Sequence, residues 1–290
     1  METIEMPQRC WVTEDDIRYF THTTTPSSML RATIPPGVYE IMIGAGQWGL
    51  KTLTLKAEPL VEDDEGPTFD IFKYIEKFLD PAVEAKFHRN SMIYRRGILL
   101  HGKPGTGKTY TIYRLCKLAV ERGLIVLYRP NPKGIELLYN YLQATGVTDQ
   151  KIVVIWEEFD NFVMGDSIDP SMLQLLDGAK TLEGIIYLAT TNYIDRIPDN
   201  IKLRPSRFQR VVEIGPPNAS VREAFLRKRL AVEDHHLIPS LVKWSDGMVL
   251  DGVKTLAESV ICMDEDIAIV GQTIREHLKL DVFTEPAEEA

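Results

Sequence analysis

The sequence predicts an α/β fold: a five-stranded parallel sheet, a small β-rich N-terminal module ahead of it and a C-terminal helical unit behind it. Three observations carry that expectation. Five short, continuous apolar runs, Gly97–Leu100, Ile125–Tyr128, Ile152–Trp156, Gly184–Ala189 and Val211–Ile214, have the texture of strands covered on both faces. Helical stretches separate them, as alternating α/β folds require. Beyond Pro216-Pro217 the chain is helical in character to about Leu280.

In chain order, Pro35-Pro36-Gly37 leads into the extended run Val38–Ile43, Gly44 to Gly49 supply turn chemistry, and Leu50–Leu55 alternate, the pattern of a β-hairpin. Gly44-Ala45-Gly46-Gln47-Trp48-Gly49 also fits G-x-G-x-x-G. An extended run follows it where a dinucleotide fingerprint needs a helix, so it reads as a hairpin turn. Glu58–Pro67, with Glu62-Asp63-Asp64-Glu65, reads as an acidic linker. After the first core strand, Ile112, Leu115, Ala119 and Val120 recur at helical spacing between Thr109 and Arg122, and Gly123 supplies the stop.

Composition excludes several classes. Of 290 residues 44% are apolar, and Gly with Pro makes about 12%, the globular average, which removes collagen-like and wholly disordered chains. The length suits about two domains. No apolar run approaches the ~18 residues of a membrane span, and Met1 to Met6 lack a signal-peptide core, so a soluble cytoplasmic protein is expected. A net charge of −9 argues against non-specific nucleic-acid binding. Cys10, Cys116 and Cys262, odd in number and widely spaced, read as reduced packing residues. His235-His236 and the other histidines have no zinc-ligand spacing.

The chemistry begins at Gly102-Lys103-Pro104-Gly105-Thr106-Gly107-Lys108-Thr109, a full match to G-x-x-x-x-G-K-[ST]. A chance match in a chain this long is on the order of 1 in 100, and a strand before it and a helix after it lower that further. Its glycines let backbone N–H groups turn toward a β-phosphate, Lys108 neutralises the β/γ-phosphates, and the Thr109 hydroxyl can ligate Mg²⁺. Tyr110 completes the expected nucleotide-contacting set. The run Ile152–Trp156 ends in Glu157-Glu158, the chemistry of a metal-holding acid followed by a water-activating base. A nucleoside triphosphate with Mg²⁺ is therefore the expected ligand.

The segment Arg96–Thr109 resembles the Walker A region of the AAA (AAA+) ATPases, with Lys103 where Pro is usual, which implies ATP as the nucleotide; the likeness extends over roughly Phe69 to Leu280. Glu157-Glu158-Phe159-Asp160 is similar to the family's Walker B segment, with Glu in place of the commoner Asp at the metal position. Ala189-Thr190-Thr191-Asn192 resembles sensor 1, which implies that Asn192 orients the lytic water or reads the γ-phosphate. Leu203-Arg204-Pro205-Ser206-Arg207-Phe208 resembles the second region of homology, with Ser206 for Gly and Gln209 for Asp, which implies that Arg204 and Arg207 act in a neighbouring subunit's site. Lys254 is a candidate sensor 2, for which a solvated helix lysine is the more frequent reading. Lys133-Gly134-Ile135 falls where unfolding members carry a pore loop, without its aromatic–hydrophobic–Gly tripeptide; an ordinary β–α connection is the alternative.

The sequence sets apart residues 1–67 as a small β-rich N-terminal module and acidic linker and 283–290 as an acidic tail, while the resemblance implies 68–216 as the nucleotide-binding domain and 217–282 as a helical lid. It further implies a homo-oligomer, hexameric by family precedent, that uses ATP turnover to remodel a protein partner in the cytoplasm without a membrane role. The compact architecture resembles AAA ATPases carried by phage genomes, for which this would be the host cytoplasm. The alternatives are a motor or loader in DNA metabolism, for which Arg222, Arg227, Lys228 and Arg229 offer a short basic helix, or a nucleotide-switched scaffold with little hydrolysis.

Overall fold

The computed structural model describes residues 10–12, 17–20, 34–44, 47–54, 67–144, 150–164, 167–177 and 182–281. These fall into two compact units. One holds the described residues up to 54 with Phe72–His101 and Thr111–Val212; the other holds 67–71, Gly102–Tyr110 and 213–281.

The first unit is built on a sheet. Its elements in chain order are β1 (Cys10–Val12), β2 (Ile17–Phe20), β3 (Gly37–Gly44), β4 (Gln47–Thr52), α1 (Pro67–Leu79), α2 (Pro81–Arg89), β5 (Arg95–His101), α3 (Lys108–Glu121), β6 (Ile125–Tyr128), α4 (Pro132–Ala144) and β7 (Ile152–Trp156). A two-residue pair, β8 (Val163–Met164) and β9 (Ser167–Ile168), precedes α5 (Pro170–Asp177), β10 (Ile185–Thr191), α6 (Asp199–Lys202) and β11 (Arg210–Glu213). The starts of α1 and α3 and the last residue of β11 belong to the other unit. Among the described residues the main sheet has nine strands, in the order β1-β2-β4-β3-β6-β7-β10-β5-β11.

The five expected core strands are all present. β6, β7, β10 and β5 pair in parallel, and β10 lies between β7 and β5 with Leu188 opposite both Ile155 and Ile98. Every residue of β7 and β10 is buried, which is why both read as unbroken apolar runs. β11 differs: it is the edge strand and Val211 is exposed, so its apolar run does not mean burial on both faces. The ends of β5, β7 and β10 lie side by side, His101 opposite Thr191 and Trp156 opposite Ala189.

The sheet is wider than the expected five strands because the N-terminal strands join it. The hairpin forms, with Gly44 opposite Gln47 rather than with a second strand running to Leu55. β3 then pairs in parallel with β6, Gly37 opposite Ile125 and Tyr39 opposite Leu127. The physical reason is β6 itself. Ile125, Val126 and Leu127 are fully buried and their backbone groups need a partner on that side. Tyr39 and Leu50 accordingly enter the same core as Leu127, Val154 and Trp156. The acidic stretch 58–67 lies outside the described residues except for Pro67, which opens α1, and the tail 283–290 lies outside them altogether.

Lys133-Gly134-Ile135 is the first turn of α4: the Asn131 carboxamide accepts the Gly134 N–H at 2.8 Å, and Ile135 is fully buried. A Cβ on Gly134 would lie 2.9 Å from Ile41 Cγ2, so this turn packs under β3. It is an ordinary β–α connection. Cys116 is buried as expected, whereas Cys262 is exposed.

The helical part of the second unit comprises α7 (Ala219–Arg229), α8 (Ile238–Trp244), α9 (Leu250–Cys262) and α10 (Ile267–His277). Asn218 caps α7 by accepting the Val221 N–H at 2.9 Å, just after Pro216-Pro217 end the preceding segment. Phe225, Leu226, Ile238, Leu241, Val253, Leu256 and Ile274 form its core. Arg222 is buried and ties helices together by donating to the Pro217 carbonyl and to Asp246 Oδ1, both at 2.9 Å. No helix of the described residues is long and apolar enough to cross a membrane.

Candidate active site

The loop between β5 and α3 has the backbone that its glycines allow. Gly105 and Gly107 have φ of +77° and +98°, a region that other residues enter only with strain. Lys108 is 7% exposed, and its ammonium donates to the carbonyls of Gly102 and Lys103 at 2.7 and 2.8 Å. Thr106 Oγ1 donates to the Lys103 carbonyl at 3.0 Å. The loop is thus closed on its own lysine. The start of α9 is seated against it: a Cβ on Gly105 would lie 2.8 Å from Asp251 Oδ2, and one on Gly107 3.0 Å from Leu250 Cδ1. Lys254, the sensor 2 candidate, faces Glu258 on its own helix at 4.0 Å.

In the first unit the two carboxylates that follow β7 sit in opposite environments. Glu157 is 9% exposed, and its Oε2 accepts the Tyr128 hydroxyl at the end of β6. Its Oε1 is buried and has no hydrogen-bond partner among the described residues. The charge on this carboxylate reaches its neighbours. Burial first, then Glu157, pushes the Cys116 thiol up to about 12 and the Tyr113 phenol above its ordinary value. The Tyr128 phenol is also raised, by burial first and then by its hydrogen bond to Glu157, so it stays protonated and able to donate at neutral pH.

Glu158 is exposed and adopts a left-handed conformation, φ +53°, as does Arg129 at +49°. Such backbone in non-glycine residues costs on the order of 1 kcal/mol or more and gathers at functional sites. The Glu158 N–H donates to Thr190 Oγ1 at 3.1 Å, its Oε2 accepts from Asn161 at 3.1 Å, and Arg129 stands 3.9 Å away. Thr191 Oγ1 donates to Asp160 Oδ1 at 2.7 Å and accepts the Tyr193 N–H at 3.0 Å. The ends of β7 and β10 are thereby laced together, with Asn192 on the turn that follows.

The two arginines part company. Arg207 is 5% exposed and forks onto Asp177 of α5, Nε to Oδ1 and Nη2 to Oδ2, both at 2.6 Å; its third bond goes to the Asn200 carbonyl, also at 2.6 Å. Arg207 in turn holds the Asp177 carboxyl below the usual carboxylate range. Arg204 is 54% exposed and only brushes Asp177 at 3.3 Å. The segment is moored to β5: Gln209 accepts the Gly97 N–H at 2.5 Å and donates to the Pro205 carbonyl at 2.8 Å, and Arg95 donates to the Ser206 carbonyl at 3.3 Å. A Cβ on Gly97 would fall 2.1 Å from the Arg207 carbonyl oxygen, so only glycine permits this approach.

Residues 98–216 match the model of the ATPase family associated with various cellular activities (AAA). The chain carries an AAA ATPase domain. It belongs to the P-loop NTPase superfamily, with which the loop and the parallel sheet accord. The chain is 30% identical over 225 residues to the ATP-dependent zinc metalloprotease FtsH 2 of Symbiobacterium thermophilum, a match spanning 68% of this chain and 37% of that protein. It is 28% identical over 184 residues to the vesicle-fusing ATPase of Dictyostelium discoideum, 54% of this chain and 24% of that protein. It is also 28% identical over 195 residues to the peroxisomal ATPase pex1 of Schizosaccharomyces pombe, 57% of this chain and 20% of that protein. The chain therefore spans well under half the length of these relatives.

Within the AAA domain, the loop, the two glutamates, Asn192 and both arginines are candidates read from chain position alone. Three groups were not located that way. Tyr128 ends the strand next to β7, and a polar residue closing a neighbouring parallel strand was the available signal. Asp177 had none, being one acid in a helix 27 residues before Arg204. Asp251, three residues before the sensor 2 candidate Lys254, is the side chain that meets the loop, and an acid carries no sequence signal for a phosphate site. The basic helix is partly paired: Arg222 is buried against Asp246 and Arg227 pairs with Glu223 at 2.7 Å, while Arg229 lies over the Phe225 ring and keeps its charge.

Proposed function

We propose that this chain binds and hydrolyses ATP as a subunit of a homo-oligomeric ring, hexameric in the manner of its family, and uses the turnover to remodel a protein partner in the cytoplasm. The observation that carries the proposal is the carboxylate pair after β7. One member is buried with an unpartnered oxygen, as a metal-holding group is, and the other is exposed in a left-handed turn tied to β10.

The roles follow from the chemistry of each group. Loop N–H groups between Gly102 and Thr109, with Lys103, Pro104, Thr106 and Tyr110 around them, would cradle the triphosphate, and Lys108 would exchange its loop carbonyls for phosphate oxygens. The Thr109 hydroxyl and Glu157 Oε1 are the groups suited to hold Mg²⁺, and the unpartnered buried oxygen is what fits them to it. Bound magnesium would neutralise β- and γ-phosphate charge. Glu158 would take the proton as water attacks the γ-phosphorus and the bond to the bridging oxygen breaks, and Asn192 would orient that water. Arg204, half exposed, is the arginine suited to a neighbour's γ-phosphate; Arg207 would hold the segment that presents it.

In this proposal residues 68–216 bind the nucleotide, 217–282 act as the lid, and the N-terminal strands offer the partner-binding surface. A protein partner is favoured over DNA because two of the four basic groups of this helix, Arg222 and Arg227, are paired with Asp246 and Glu223 and the chain carries a net charge of −9. The test is ATP turnover by the full chain and by Glu158→Gln. The variant is expected to keep nucleotide binding and to lose turnover by about 10²–10⁴-fold. Normal turnover by Glu158→Gln would overturn the assignment of the base.

A further inference from the structure

The metal position of this site carries a glutamate, which has one more rotatable bond than an aspartate. Unrestrained, its carboxylate samples more rotamers, and ordering it opposes ligand binding. The sheet supplies a restraint. β6 runs parallel to β7 with Tyr128 opposite Ile155, two residues before Glu157, so the phenol at the end of β6 reaches the carboxylate just past the end of β7. Tyr128 donates to Oε2 and leaves Oε1 buried with no partner among the described residues. A buried carboxylate oxygen without a partner is disfavoured unless a ligand completes it.

We propose that Tyr128 is a positioning residue that adapts Glu157 to the magnesium site, fixing Oε2 so that Oε1 alone serves the hydrated ion. The inference rests on the reading of Glu157 as the metal-holding group. The clamp divides the carboxylate's work: one oxygen is spent on orientation and the other is kept for the ligand. A partner that orients a metal-holding group typically accounts for 10–100-fold in metal affinity. The contact to magnesium through water places Tyr128 at the lower end of that range.

The experiment titrates magnesium into the full chain with a fluorescent ATP analogue, and reads the magnesium concentration at which nucleotide binding tightens half-maximally. Tyr128→Phe is expected to raise that concentration about tenfold while nucleotide affinity in EDTA stays at the wild-type value. In a Glu157→Ala background, which has no carboxylate for the phenol to hold, Tyr128→Phe is expected to change nothing further. An unshifted magnesium requirement in Tyr128→Phe, beside a magnesium-dependent wild type, overturns the clamp and leaves the Glu157 reading standing. Weakened binding in EDTA also overturns it, since the tyrosine would then act on the fold. A wild type whose nucleotide affinity ignores magnesium removes the Glu157 reading and the clamp with it.

Discussion

Replacing Arg207 with alanine removes a guanidinium that is 5% exposed and donates three hydrogen bonds of 2.6 Å, two to Asp177 and one to the Asn200 carbonyl. Removing one partner of a buried ion pair costs about 3–5 kcal/mol, because the other charge is left without compensation. Asp177 is 29% exposed, so water recovers part of that loss and the lower end, about 3 kcal/mol, is expected. For a chain of 290 residues that lowers the unfolding midpoint by roughly 5 °C. Arg204→Ala, at a 54% exposed side chain 3.3 Å from the same carboxylate, is the internal comparison, expected to cost about 0–1 kcal/mol. Thermal unfolding of the two variants beside the wild type reads the difference. A midpoint for Arg207→Ala within about 2 °C of wild type would refute the reasoning.

The same pair sets an acid dependence. Arg207 holds the Asp177 carboxyl below its unfolded value of roughly 3.9. The pair's stabilisation is therefore complete above that value and is lost as pH falls through the lower folded one. The stability gap between wild type and Asp177→Asn is expected to be widest near neutral pH and to narrow below about pH 4; a gap that widens in acid would contradict it. Gly97→Ala drives a methyl to 2.1 Å from the Arg207 carbonyl, so a loss of about 1–3 kcal/mol with reduced turnover is expected; unfolding and rate assays showing neither would count against the close approach. Lys108→Ala should weaken ATP binding about 10–150-fold by equilibrium titration, the worth of a charged hydrogen bond, and unchanged affinity would remove the lysine from the phosphate site. Mixing Arg204→Ala with Glu158→Gln should restore turnover that neither has alone, because each supplies what the other lacks. Mixtures as inactive as their components would exclude action between subunits.

How much could be read from the chain depended on whether a residue's partner was local. Ile125–Tyr128 and Ile152–Trp156 were legible as strands to the residue, since continuous burial leaves an unbroken apolar run. The phosphate loop was legible because its glycines, Lys108 and Thr109 fall within eight consecutive positions. What escaped were pairings across the fold. Nothing in Val38–Ile43 says that β3 lies beside β6, more than 80 residues on, and the change in texture near residue 67 suggested a separate module instead. The Asp177–Arg207 fork spans 30 residues, and Tyr128 with Glu157 spans 29. Val211 misled in the other sense, as its run belongs to an edge.

The parallel seam between β3 and β6 has a practical outcome for anyone who trims the chain. Cutting ahead of α1, where the acidic stretch invites it, would strip Tyr39 and Leu50 from the interior and uncover the backbone of Ile125 to Leu127. The bared strand is the one that ends in Tyr128, and flat apolar edges of that kind recruit other chains. An ATPase fragment made that way would be prone to precipitate, and a loss of turnover in it would say nothing about what the leading residues recognise.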